Sequence, residues 1–217
     1  MQNTKYRGKK NHRGEIHSKI FIWSHTEKAE IEYFQEFKQY LNTHRLMPRK
    51  HVVWTPQELL DHVIKWKKKN IAEKDSDQVW CIFDIDSFAA KKEDRDELLT
   101  LIAKAHLNKI KIAYINECFE LWILLHFDVV TYSIKRGREL EGKIQKKFKS
   151  AKLGNFEKNQ KVFTPLINLQ KQAISNARKL VSDYSKINWE GCLSSKGNPS
   201  TSIHFLIEEI NKLVISK

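Results

Sequence analysis

Cysteine, glycine and proline are all scarce in this chain. Three cysteines in 217 residues, Cys81, Cys118 and Cys192, are too few and too widely spaced for a disulfide framework or a zinc knuckle, so a reducing compartment is expected. None of the seven glycines contributes to a phosphate loop completed by Lys and Ser or Thr, which excludes ATP hydrolysis by that device. The longest apolar run, Cys118 to Phe127, is interrupted by Glu120 and falls far short of the ~20 residues that a membrane-spanning helix needs. No apolar signal segment opens the sequence, and a cytoplasmic protein with no membrane partner is expected. The nine histidines show no metal-ligand spacing, and His12, His17, His44 and His51 read as solvated surface.

What the chain has in excess is positive charge. A formal charge of +13 and a sequence pI near 9.5 make a polyanion the natural partner, although basic charge also serves solubility or a membrane surface. The cations cluster at Tyr6 to Lys10, Lys65 to Lys69 and Lys143 to Lys149, which favours a phosphate-tracking surface over a single tail. Trp66 and Phe148 sit among these lysines and could stack on bases, but core packing is the expected role of each.

The length suits one sizeable α/β core with a helical appendage. Residues 1–17 are polar and basic and read as a flexible arm; 18–130 read as the α/β core; 131–217 read as a helical extension packed on it. Within the core, Lys19 to Ser24 reads as the first strand. Tyr33, Phe34, Phe37, Tyr40 and Leu41 follow as one face of a helix. Pro48 is expected to interrupt the chain, His51 to Trp54 to form a second strand, and Thr55-Pro56-Gln57-Glu58 to open a helix with an N-cap and Pro at its first position. Val79 to Phe83, a helix with Leu98, Leu101, Ile102 and Ala105 inward, and Lys111 to Ile115 complete the alternation. It predicts a mainly parallel sheet with helices on both faces. Beyond Val130 helices are expected over Arg138 to Phe148, Pro165 to about Val181, and Ser200 to Val214.

The strand Val79 to Phe83 ends in Asp84-Ile85-Asp86, two carboxylates one residue apart at the edge where open α/β sheets place ligands. Hard oxygen donors of this kind suit Mg²⁺, whose charge relieves their repulsion. A capped turn explains the same letters equally well. A phosphatase that uses Asp84 as nucleophile is a minor alternative, since haloacid-dehalogenase-type enzymes resemble the Asp-x-Asp pattern but carry it on their first strand. Downstream, Asn116 and Glu120 have no apolar purpose in a run otherwise suited to the core, and in one continuous helix they would share a face. His126, inside the same run, reads first as a satisfied core histidine.

Four blocks together resemble the RloB family: Thr26 to Glu30 with Tyr33-Phe34, Phe83 to Asp86, Asn116 to Phe127, and Asn198-Pro199-Ser200-Thr201. The resemblance implies a Toprim-like (Rossmann-like) fold and a place in bacterial anti-phage defence. It further implies a nuclease dependent on Mg²⁺ (or Mn²⁺), with RNA, tRNA included, favoured over DNA and an ATPase as partner protein. Asp84 and Asp86 would hold the metal; His25, Glu27, Glu30 and Glu120 would assist catalysis; Lys28, Asn116, Asn198 and Ser200 would contact substrate. The chain departs from the family pattern Glu-Gly-Glu-x-Thr-Glu, reading His25-Thr26-Glu27-Lys28-Ala29-Glu30. That departure keeps open a second reading, a nucleic-acid-binding or scaffold subunit whose chemistry has weakened.

Overall fold

The computed structural model describes residues 18–24, 29–49, 55–71, 76–85, 92–116, 118–134, 137–157, 161–193 and 197–215. Their elements run β1 (Ile20–Ser24), α1 (Ala29–Leu41), β2 (Leu46–Arg49), α2 (Pro56–Asn70), β3 (Gln78–Asp84), α3 (Lys92–Leu107), β4 (Lys111–Asn116), α4 (Glu120–Leu125), α5 (Gly137–Ser150), α6 (Phe163–Leu166), α7 (Gln170–Leu180), α8 (Trp189–Cys192), β5 (Ser200–Thr201) and α9 (Ile203–Ile215). The sheet order is β2-β1-β3-β4-β5. The first four strands are parallel, and β5 joins β4 antiparallel.

Strand side chains alternate between two apolar layers, as the two-residue period of a pleated strand requires. Ile20, Ile22, Trp80, Ile82, Ala113 and Ile115 meet one core, shared with α1, α4, α5, α7 and α9. Phe21, Trp23, Val79, Cys81, Phe83 and Ile112 meet the other, under α2 and α3. Burial on both faces is why β3 reads as an unbroken apolar run rather than an alternating one. The start of α2 is set locally: Thr55 accepts a hydrogen bond from the Glu58 N–H at 3.1 Å, Pro56 fills the first turn, and Leu59, Leu60, Val63 and Ile64 face inward.

Several sequence expectations need correction. Pro48 does not interrupt the chain; it lies inside β2, opposite Ile22. An edge strand tolerates proline because one side of its backbone needs no ladder donor. The expected strand at His51 to Trp54 lies outside the described residues. Pro165 to Val181 is not one helix but α6, a 3₁₀ turn at Ile167–Leu169, and α7. Ser200 and Thr201 form β5 rather than the start of the last helix, which begins at Ile203. Tyr40 ends the α1 stripe at 59% exposure, whereas Tyr33, Phe34 and Phe37 are buried as expected. The basic arm expected over residues 1–17 also lies outside the described residues.

Candidate functional site

The sheet order places a topological switch between β1 and β3. From β1 the chain goes out to β2, and from there it crosses back past β1 to β3. Right-handed crossovers then put α1 on one face and α2 on the other. The carboxyl ends of β1 and β3 therefore border the crevice in which doubly wound sheets hold ligands.

Ser24 ends β1 and Asp84 ends β3 at this crevice. Ser24 pairs with Ile82, so Asp84 projects two residues farther, about 7 Å along the strand. The ladder continues to Asp84 opposite Ile115, and the Ile85 N–H donates to the Ile115 carbonyl at 3.0 Å, which fixes the backbone around the carboxylate. Asn116 ends β4 at the same edge, buried, with its side-chain amide donating to the Cys192 carbonyl at 2.8 Å. Glu120 opens α4 and is also buried. Asn116 and Glu120 do not share a helix face as expected, because Asn116 belongs to the strand; the turn between them brings both to the sheet edge instead. Glu30, in the first turn of α1, is buried as well, and acids at that position are favoured by the helix dipole.

Cys118, buried between Asn116 and Glu120 in the chain, lies within the electrostatic reach of both acids. Burial pushes its thiol well above the ordinary range, the Glu120 carboxylate adds to the shift through charge and a hydrogen bond, and the Asp84 charge adds a smaller part. Asp84 and Glu120 thus act on one buried thiol, which stays protonated and is no nucleophile at neutral pH. Counted with the scattered cysteines, Cys118 escapes notice in the sequence; its place two residues before Glu120 is the signal that finds it. Ser200 pairs with Asn116 across β4 and β5 and lies beside the Tyr114 phenol, which burial, with the neighbouring Cys192, raises strongly.

Asn198 has a different surrounding. Its side chain accepts from the Ile134 N–H at 3.0 Å and donates to the Ile134 carbonyl at 2.7 Å, clamping the chain between α4 and α5. His126 is buried in the core as its context suggests but is satisfied at one nitrogen alone: Nδ1 lies 2.9 Å from the Trp122 carbonyl, while Nε2 has no hydrogen-bond partner among the described residues. His25, Glu27, Lys28 and Asp86 lie outside the described residues. Among the described residues no three His, Cys, Asp or Glu side chains gather to hold a metal ion. The acids at this edge, Asp84 and Glu120, are hard oxygen donors of the kind that suits Mg²⁺ or Mn²⁺.

Among the described residues, no helix is long and apolar enough to cross a membrane. A family model described as RloB-like protein matches residues 20–210. No curated protein and no solved structure matches the chain.

Proposed function

Because the chain belongs to the RloB-like protein family, we propose that it is a metal-dependent nuclease of Toprim type that cleaves RNA in a bacterial anti-phage defence system. The observation that carries this reading is the placing of Asp84 at the end of β3, of buried Asn116 at the end of β4 and of buried Glu120 at the start of α4, beside a switch-point crevice. Asp84, with Asp86, would hold Mg²⁺ or Mn²⁺. The metal, when bound, supplies charge stabilisation for a phosphodiester in displacement. Glu120 would orient water or substrate, Asn116 and Ser200 would position the scissile group, and Glu30, Glu27 or His25 would handle the proton. A cytoplasmic setting and an ATPase partner that restrains the activity belong to the same reading.

A second reading rests on His25, which stands where the family pattern has Glu. On it, the chain binds nucleic acid for a defence complex without cutting. The phosphatase alternative has less support, since Asp84 ends the third strand in chain order rather than the first.

Incubation of the protein, alone and with the product of a neighbouring ATPase gene, with labelled tRNA, other RNA and DNA separates these readings. With Mg²⁺ or Mn²⁺ we expect RNA cleavage that chelator abolishes and that Asp84→Asn lowers about a hundredfold or more, with binding retained. Cleavage that survives Asp84→Asn would remove Asp84 from the centre. No metal-dependent cleavage of any substrate, with binding intact, would leave the scaffold.

A further inference from the structure

One turn beyond Glu120 on α4, Leu124 opens the floor of a cavity of about 260 Å³, bounded by the segment after α4 and by α5. Its floor is apolar, with Leu124 and Val130 almost wholly covered. Its rim carries Lys143, Lys146 and Lys147, and at its mouth stands Tyr132, 41% exposed. The helix pattern explains the rim. Leu140, Ile144 and Phe148 recur every fourth residue and face the core, which turns Lys143, Lys146 and Lys147 toward solvent and the cavity.

We infer that this cavity is a nucleotide-gripping subsite for single-stranded nucleic acid, in which a base stacks on Tyr132 over the Leu124 and Val130 floor while the lysines take the flanking phosphates. The inference rests on the nucleic-acid half of the proposed function and is independent of cleavage. Lys143 Nζ lies 3.5 Å from the centroid of the Tyr132 ring. Such a contact is weaker than base stacking, and the flexible lysine stem lets the ammonium yield the ring to a base and turn to the adjoining phosphate. Asp128 is the one acid at the site, and Lys147 neutralises it at 2.6 Å. Among the described residues no carboxylate pairs with Lys143 or Lys146, so two ammonium groups remain for phosphate.

The occupant follows from shape and donor type. The cavity is smaller than the ~300–1,000 Å³ of a drug-sized pocket, which suits a single nucleotide. A duplex would hide the base faces that the tyrosine needs, so a single strand fits better. The lining holds three lysines against one acid, and this surplus of positive charge complements the phosphates on either side of a stacked base. Leu124 follows Glu120 by about 6 Å along the axis of α4, so a strand gripped here is held beside the carboxyl edge.

Fluorescence anisotropy with labelled single-stranded RNA of about ten nucleotides, in chelator, tests the subsite. Tyr132→Ala should weaken binding about tenfold and Tyr132→Phe less than about twofold, because the ring and not the hydroxyl carries the contact. Lys143→Gln with Lys146→Gln should lower the slope of log affinity against log salt by about 1.4. Unchanged affinity in Tyr132→Ala would overturn the inference, as would displacement of the RNA by polyglutamate at lower concentration than by unlabelled RNA. The unsubstituted protein serves as the reference. Lost Tyr132 dependence with metal-dependent cleavage intact sinks this subsite alone; Tyr132-dependent binding with no cleavage sinks the nuclease alone.

Discussion

His126 and His204 are both buried, and burial pushes each imidazole down to about 4; at His204 the Arg178 guanidinium adds to the shift. The folded values lie below the ordinary 6.5, so the fold favours the neutral rings. The unfolded chain binds more protons between those limits, so stability is fully present above about pH 6.5 and lost as the pH falls toward 4. Each ring contributes about 3 kcal/mol across that window. Urea unfolding midpoints should therefore drop steeply between pH 6.5 and pH 4, well before most carboxylates protonate. A flat profile there would mean that the rings charge without cost. The burial of His126 is legible from its apolar neighbours, as is the placing of Asp84, Asn116 and Glu120 at the carboxyl edge, polar residues set in runs that otherwise suit a core. Tyr132 is not legible in this way: it stands eleven residues before Lys143, and only the fold of the chain between α4 and α5 brings ring and ammonium together. The aromatics that do adjoin lysines in the sequence, Trp66 and Phe148, are spent on packing; Trp66 lies 4.8 Å from Phe21 and 4.6 Å from Trp23, and Phe148 is fully buried.

The exposed side of β4 shows how an incomplete sheet edge is closed. β5 is only two residues long and covers Ile115 and Asn116 alone. Farther back along β4, side chains take over. The Ser202 hydroxyl accepts from the Tyr114 N–H at 2.9 Å, and the Thr201 hydroxyl donates to the Tyr114 carbonyl at 2.9 Å. The Tyr184 hydroxyl accepts from the Ile112 N–H at 2.9 Å and donates to its carbonyl at 3.0 Å, so one phenol replaces a strand partner. An open edge is a template for pairing with another chain, and these contacts remove it. Tyr184→Phe leaves both Ile112 groups without the hydroxyl, and we expect a loss of about 1–3 kcal/mol in urea unfolding with faster hydrogen exchange at Ile112. Unchanged exchange would show that water replaces the phenol at no cost. The alternation of strands and helices needs only the apolar periods and is legible for β1, β3 and β4 and the helices between them. β5 is not, because Ser200 and Thr201 have the letters of a helix cap and become a strand only through their partner Asn116. β2 is obscured for a related reason: Pro48 signals a break unless the strand is known to be an edge.

Among the described residues the basic clusters of α2 and α5 do not merge into one surface. α2, with Lys65, Lys68 and Lys69 exposed, packs on the core beneath one face of the sheet; α5, with Lys143, Lys146 and Lys149 exposed, packs on the core beneath the other. Lys67 is spent on the turn after α3, donating to the Asn108 and Lys109 carbonyls at 2.6 and 3.2 Å. The sequence shows the number of charges, but only the crossover from β2 to β3 separates them. A polynucleotide attracted by net charge alone would respond equally to neutralising either cluster, since each removes three charges from the same total of +13. One gripped beside α4 would not. Changing Lys65, Lys68 and Lys69 to Gln should reduce RNA affinity modestly, through the long-range field that salt screens beyond about 10 Å. Changing Lys143, Lys146 and Lys149 should reduce it by at least about tenfold more and flatten the salt dependence, because phosphate contacts and their counterion release are lost. Equal losses in the two triple variants would mean that the charge acts as a diffuse field and that the face beside α4 and α5 confers no preference of its own.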